Sequence, residues 1–208
     1  MGRKTKFDRA AALDWVMHEI WLHGYEGVSV KSIAEKLSIT RSSFYHTFTS
    51  KEALFEEALE YYTRPSPCFK KNIYTESEDP LWLLTQFFYQ VCQHRIEDPV
   101  LRGCMLVNSM VGLVGVHPTL GPIVAQKVDA GRVWFESLIE QAMKTGDLDS
   151  TTDAEQIALT LQNLLIGINT MSKAVRDEEQ LWGIAKTTLK GLNLFKHAEG
   201  QTLGRVEE

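Results

Sequence analysis

The 208 residues predict an all-α fold. Three observations carry it. Apolar residues recur at spacings of three and four along almost the whole chain, the period-2 alternation of a half-buried strand is nearly absent, and Ser, Thr, Asp or Pro stands where most periodic segments open. At 44% hydrophobic and 24% charged residues, with Gly 14 and Pro 6, the composition excludes a disordered, collagen-like or disulfide-scaffold chain.

The elements follow in order. Phe7 to His23 form a first helix carrying Ala12, Trp15, Val16, Ile20 and Leu22, with Gly24 as its left-handed stop. Ser29 caps a short helix reaching Leu37, with Ile33, Ala34 and Leu37 inward. Thr40 caps a third through Tyr45, and Ser50 a fourth that runs to about Tyr62 before Pro65 and Pro67 end it. Pro80 suits the first position of a helix to about Ile96. Cys104 to Val114 is an apolar helical segment, and His117-Pro118 opens a long helix ending near Thr145-Gly146. Asp153 starts a helix with Ala158, Leu161, Leu165 and Ile168 in phase, and Leu181, Ala185 and Leu192 mark a last one. From Lys196 the tail is polar and expected to fray.

Charge divides the chain. The net −5 splits into +3 over residues 1–51 and −8 over the remainder, a basic module on an acidic body. The three cysteines, Cys68, Cys92 and Cys104, cannot all pair within one chain, and no CxxC occurs, so neither a stapled fold nor a zinc site is expected. No apolar run approaches a membrane span and no signal segment opens the chain, which places it in the cytoplasm with no membrane partner.

The basic module carries the chemistry. Two short helices joined by a tight turn and flanked by a helix on each side describe a helix-turn-helix. Ala34 is small where the two must cross, while Phe44 and Phe48 can close a mini-core with Ile20, Ile33 and Leu37. The opposite side of the second helix offers Thr40, Arg41, Ser42, Ser43, Tyr45 and His46, polar groups of the kind that read a major groove. Lys51 adds a charge at a helix N-terminus that already attracts phosphate.

Gly24-Tyr25-Glu26-Gly27, Ser29-Val30-Lys31-Ser32-Ile33-Ala34 and the stretch Ser43 to Phe55 resemble the N-terminal domain of TetR/AcrR-family transcriptional regulators over about residues 7–62. The frame Tyr45, Phe48, Lys51, Leu54 falls in register with the helices read above. Ser38 departs from the family's usual glycine, and a left-handed serine there costs about 1 kcal/mol. The resemblance implies that Ser29, Tyr45, His46 and Lys51 hold the DNA backbone while Thr40, Arg41, Ser42 and Ser43 lie near base edges. Arg3, Lys4 and Lys6 form an arm that could reach phosphates or the minor groove. It also implies a homodimer on double-stranded operator DNA, joined through the last two helices, where Ala158, Gly167 and Ala185 would permit close approach.

The expected organisation is therefore a DNA-binding domain over 1–51, a helical effector-binding and dimerisation domain over 52–195, and a tail over 196–208. A cavity for an unknown small-molecule effector would lie between the fourth helix and the middle helices. Tyr62, Phe88, Cys92, Cys104, Met105, Asn108 and Trp134 are its candidate walls. Arg102 to Asn108 resembles a Gly-Cys segment of a TetR subgroup that includes the N-ethylmaleimide-responsive repressors. There Cys104, at a helix start beside Arg102, would gain thiolate character; the alternative is a small buried hydrophobe. An enzyme is not expected, since no HExxH, phosphate loop or nucleophile motif occurs and His18/His23 and Cys92/His94 lack a third ligand. No cofactor or metal is implied. The resemblance implies a repressor released by its ligand, with an activator of the same family as the alternative, and an architectural DNA protein fits poorly with an acidic body.

Overall fold

The computed structural model describes residues 8–64 and 79–197, which form nine helices and no strand. These are α1 (Arg9–Gly27), α2 (Val30–Lys36), α3 (Arg41–Phe48), α4 (Lys51–Thr63), α5 (Pro80–Ile96), α6 (Met105–Leu113), α7 (Leu120–Thr145), α8 (Ala154–Met171) and α9 (Glu178–Gly191). Phe7, the arm of Arg3, Lys4 and Lys6, Pro65, Pro67, Cys68 and the tail beyond His197 lie outside the described residues.

Side-chain caps set most of the helix starts. Ser29 and Ser32 cap α2 reciprocally, and Thr40, Ser50, Asp153 and Asp177 each accept the backbone N–H three residues on. Asp79 accepts from Leu81 and Trp82 with Pro80 following it. Each such cap contributes about 1 kcal/mol.

Three boundaries differ from expectation: α3 runs past Tyr45 to Phe48, where Phe48 joins the core, and the other two lie at Gly24 and at the start of α7. At Gly24 (φ 73°) α1 kinks and continues for three residues, which delivers Tyr25 into the core. α7 begins at Leu120, because the His117 ring Nδ1 accepts the Leu120 N–H at 3.1 Å and so serves the helix start from outside it.

Apolar burial forms two cores. The first joins α1, α3 and α4 to α6 and the start of α7, through Val16, Ile20, Phe44, Phe48, Phe55 and Leu59 packed with Met105, Val107, Leu120 and Val124. The second holds α5, the later part of α7, α8 and α9, with Phe87, Phe88, Phe135, Ile139, Leu161 and Leu181. Leu54, Phe55, Ala58 and Leu59 of α4 thus share a core with α1 and with α6. At the other end Lys196 is anchored: its N–H donates to the buried Thr85 hydroxyl at 3.1 Å, and its ammonium bridges Asp79 and Asp147. The expected fraying at Lys196 does not occur.

Ser38 adopts φ 53°, whereas the left-handed position after α7 is filled by Gly146 at φ 82°. Ser38→Gly is expected to raise stability by about 0.5–1 kcal/mol, the relief of a left-handed side chain less the added freedom of the unfolded chain. Gly146→Ala is expected to lower it by about 1 kcal/mol. Urea midpoints moving in opposite directions at unchanged slope check both.

Candidate nucleic-acid interface

The helix-turn-helix is assembled by burial on one side and freed on the other. Phe44 and Phe48, one turn apart on α3, are 0% and 1% exposed and pack in the core that also holds Ile20, Ile33 and Leu54. The turn is closed by the Ile39 N–H donating to the Ala34 carbonyl at 3.0 Å. Thr49 (φ 64°, ψ −56°) links α3 to α4 through a γ-turn in which the Ser50 N–H donates to the Phe48 carbonyl at 2.6 Å. This sharp link fixes the angle of α3 against α4, and nothing in the sequence signalled it.

The eight residues expected to meet DNA do not play one role. Arg41, Ser42, Tyr45 and His46 form an exposed stripe on α3, and among the described residues the side chains of Arg41, Ser42 and His46 make no hydrogen bond or ion pair. Their groups are available for an external partner, and a helix of this width enters a major groove about 12 Å wide. The hydroxyls of Ser29, Thr40 and Ser43 are already engaged. Ser29 Oγ pairs with Ser32, and Thr40 Oγ1 lies 3.0 Å from Ser43 Oγ while accepting the Ser43 N–H at 3.1 Å. These three hydroxyls order the starts of α2 and α3.

Lys51 is placed differently from a solvated phosphate contact. Its ammonium lies 3.8 Å from the centre of the Tyr25 ring and 3.9 Å from Glu26 Oε2, with the side chain only 20% exposed. Burial lowers its pKa, against the pull of Glu26 and Glu52. Tyr25 in turn is raised, first by burial and then by Glu52, with which its hydroxyl is hydrogen-bonded. Edge-on contacts from Phe55 and His117, at 5.4 and 5.2 Å, complete this junction of α1, α4 and the α6–α7 turn.

The +3 of the head is also unevenly available. Arg9 is committed to Glu57 at 2.5 Å, with its guanidinium 5.3 Å from the Phe48 ring, and so ties α1 to α4. Lys31 pairs with Glu35 at 3.9 Å, and Lys36 lies 5.5 Å from the Trp15 ring. Pairs 48 residues apart, such as Arg9 with Glu57, leave no periodic trace in a sequence.

The expected effector walls are not brought together. Phe88, Cys92 and Trp134 belong to the second core, whereas Tyr62, Cys104 and Met105 belong to the first. The Asn108 amide is spent on the Arg102 carbonyl at 2.9 Å. Aromatic and Met residues at helical spacing are used here as packing. A cleft of about 410 Å³ between α4 and α7 is lined instead by Glu56, Glu60, Ile123, Gln126, Lys127 and Ala130. Cys104 and Cys92 are both buried thiols, and burial pushes the Cys92 pKa up to about 12. Arg102 does not turn to Cys104; its guanidinium goes to Asp98 at 3.0 Å and His18 at 2.6 Å. Of the small residues expected at a dimer contact, Ala158 and Ala185 are fully buried within the subunit, while Gly167 faces open space. Among the described residues no group of three or more His, Cys, Asp or Glu could hold a metal, and no helix is long and apolar enough to cross a membrane.

Residues 13–58 match the family model described as bacterial regulatory proteins, tetR family, and residues 80–187 match the tetracyclin repressor-like C-terminal domain. The HTH-type transcriptional repressor ComR of Escherichia coli (strain K12) is 27% identical over 194 residues, covering 91% of this chain and 90% of that protein. The HTH-type transcriptional repressor NemR of the same strain is 24% identical, covering 87% and 92%. A cysteine-substituted TetR family transcriptional regulator CifR, solved on a 26-base-pair double-strand operator, has a similar fold, with a TM-score of 0.80 at 24% identity over 91% of this chain and 98% of that one.

The capping role of Thr40 is open to test. Thr40→Ala is expected to destabilise the chain by about 1 kcal/mol through loss of the α3 cap. Ser42→Ala, on the exposed stripe, should change stability by no more than about 0.5 kcal/mol. Urea unfolding of the two variants separates ordering from contact.

Proposed function

Because the chain belongs to the TetR family of bacterial regulatory proteins, we propose that it is a transcriptional repressor that binds operator DNA as a homodimer and is released by a small-molecule effector. The observation that carries the DNA reading is the α3 stripe of Arg41, Ser42, Tyr45 and His46, exposed and held rigidly over buried Phe44 and Phe48. Arg41, with no internal partner among the described residues, has the fork geometry for the O6 and N7 of a guanine. Tyr45 and His46 reach the backbone beside it, Ser29, Thr40 and Ser43 keep the helix ends in register, and Lys51 reaches a phosphate by leaving the Tyr25 ring.

Dimerisation is supported by what α8 and α9 leave uncovered. Leu159 and Met171 on α8 and Ile184 on α9 are 45%, 44% and 37% exposed, with Gly167 and Gly183 beside them leaving open space. A dimer joined through these faces about a two-fold axis would have to set its two α3 helices at the spacing of successive major grooves, about 34–36 Å. The effector acts on the body, where α6 shares a core with α4, so a displaced α6 carries the head with it.

Selection of binding sites from random duplexes, followed by mobility shift at fixed salt, tests this reading. A two-fold symmetric sequence with half-sites one helical turn apart is expected; binding with no preference over random DNA overturns it. Arg41→Ala should lose about 1–3 kcal/mol of discrimination at one base pair of each half-site. For the dimer, Leu159→Glu with Ile184→Glu is expected to give a folded monomer by sedimentation that binds the operator at no more than the non-specific level. A dimer persisting in that variant places the interface elsewhere.

A further inference from the structure

The segment joining α5 to α6 is clamped from both sides by features the DNA reading does not use. On one side its backbone presses on α8: a Cβ at Gly103 (φ 72°) would lie 2.7 Å from the Asn169 carbonyl oxygen and 2.9 Å from Lys173 Cε. Asn169 itself is buried and accepts from Arg95 Nε of α5 at 2.5 Å. On the other side Arg102 reaches α1. Its guanidinium lies 3.8 Å from the Trp21 ring centre, and Nη1 is 2.6 Å from His18 Nδ1. A guanidinium has no lone pair to offer, so His18 Nδ1 is the acceptor and its proton sits on Nε2, towards Asp14 at 3.9 Å. Asp98, 8% exposed, holds the same guanidinium through both carboxylate oxygens at 3.0–3.3 Å and accepts the Arg102 N–H at 2.7 Å. The Arg102 carbonyl takes the Asn108 amide, and Leu101 is drawn to φ 51°.

From this geometry we infer that Arg102 is a positioning residue for operator recognition: through His18 and Trp21 it registers α1 of the head against α8 of the body. The arrangement is stiff at each step. Gly103 admits no side chain against α8, a buried carboxylate fixes the guanidinium, and a flat cation on an indole face resists sliding and tilting. Trp21 passes the register to α4 through Tyr62, whose ring meets it edge-on at 4.8 Å. The angle of the head therefore depends on where the 98–104 segment sits against α8. Two-site binding to DNA is sensitive to that angle, because both heads must fit grooves at a fixed spacing, whereas non-specific attraction to phosphate is not.

The inference rests on the operator-binding reading and is tested beside it. Arg102→Ala would strand the buried Asp98 carboxylate, so His18→Ala and Arg102→Lys are the informative variants. The first removes the His18 contact and leaves the guanidinium on the Trp21 ring, and the second keeps the charge but not the flat fork. Each is expected to weaken binding to the selected operator by about tenfold, to leave binding to random duplex within about a factor of two, and to leave the unfolding midpoint nearly unchanged. The double variant should lose no more than the worse single one. Amide exchange in the DNA-free full chain should quicken in α1 and α2 and stay constant in α9. Unchanged operator affinity, or losses that multiply in the double variant, overturn the inference. If selection yields no operator, the regulator reading fails by itself, and exchange in α1 decides this one: unchanged rates in both variants overturn it, faster rates uphold the coupling.

Discussion

Head and body share one apolar core, and the rest of the molecule is arranged around that constraint. Phe55 and Leu59 of α4 are fully buried in the cluster that holds Val16 and Ile20 of α1 and Met105 and Val107 of α6. At its head end the contact is finished by Tyr25, which takes a cation on its face from Lys51 and ring edges from Phe55 and His117. Three elements meet on one phenol ring, so a shift of the α6–α7 turn is felt where α4 begins. Close-packed interiors respond to such shifts by moving elements as units, since opening a gap forfeits contacts that nothing replaces.

The charge of the head serves this architecture before it serves a partner. Arg9 spans α1 and α4 to reach Glu57, and Lys51 ties α4 back to α1 over Tyr25. Arg41 is left without an internal partner among the described residues, on an exposed face of α3. A basic total of +3 is thus a poor measure of the field a duplex meets. In the α3 stripe the side chains of Arg41, Ser42 and His46 are spared from internal hydrogen bonds and ion pairs among the described residues, while the hydroxyls of Ser29 and Thr40 cap the helices that hold it still.

Local chemistry was legible in the sequence to the residue. Ser29, Thr40, Ser50 and Asp153 cap the helices they were expected to cap, and Ser38 carries the positive φ that its place in the turn demanded. These features depend on neighbours within about one turn, and such neighbours are adjacent in the text. The Phe44 and Phe48 core was legible for the same reason, both residues lying one turn apart on one helix. What failed was tertiary. Ala158 and Ala185 are small where α8 and α9 pack inside the subunit rather than against a copy. Nor does helical spacing distinguish a residue that lines a space from one that fills it, which is why Phe88 and Tyr62, expected on one cavity, stand in two cores. Lys196 was read as part of a loose tail because its two carboxylate partners lie 49 and more residues away.

Solid packing of the body also sets the terms on which any effector can act. Phe88 and Phe135 stack at 5.7 Å with an interplanar angle of 4°, and Phe87 meets Trp134 at 4.9 Å. A molecule entering there must part rings already in contact, and the lost dispersion opposes it. Turning a population from 99:1 to 1:99 takes about 5.5 kcal/mol of preference for one state, equivalent to roughly 220 Å² of apolar surface buried in that state alone. Contacts made equally in both states add affinity and shift nothing. A molecule seated in the second core would therefore have to hold rings apart and take its volume from a moved helix, whereas the cleft between α4 and α7 is already open. Of the helices bordering the second core, α7 also reaches the first through Leu120 and Val124. A displacement along α7 would carry a change in the second core to α6 and α4, which share the first core with its start.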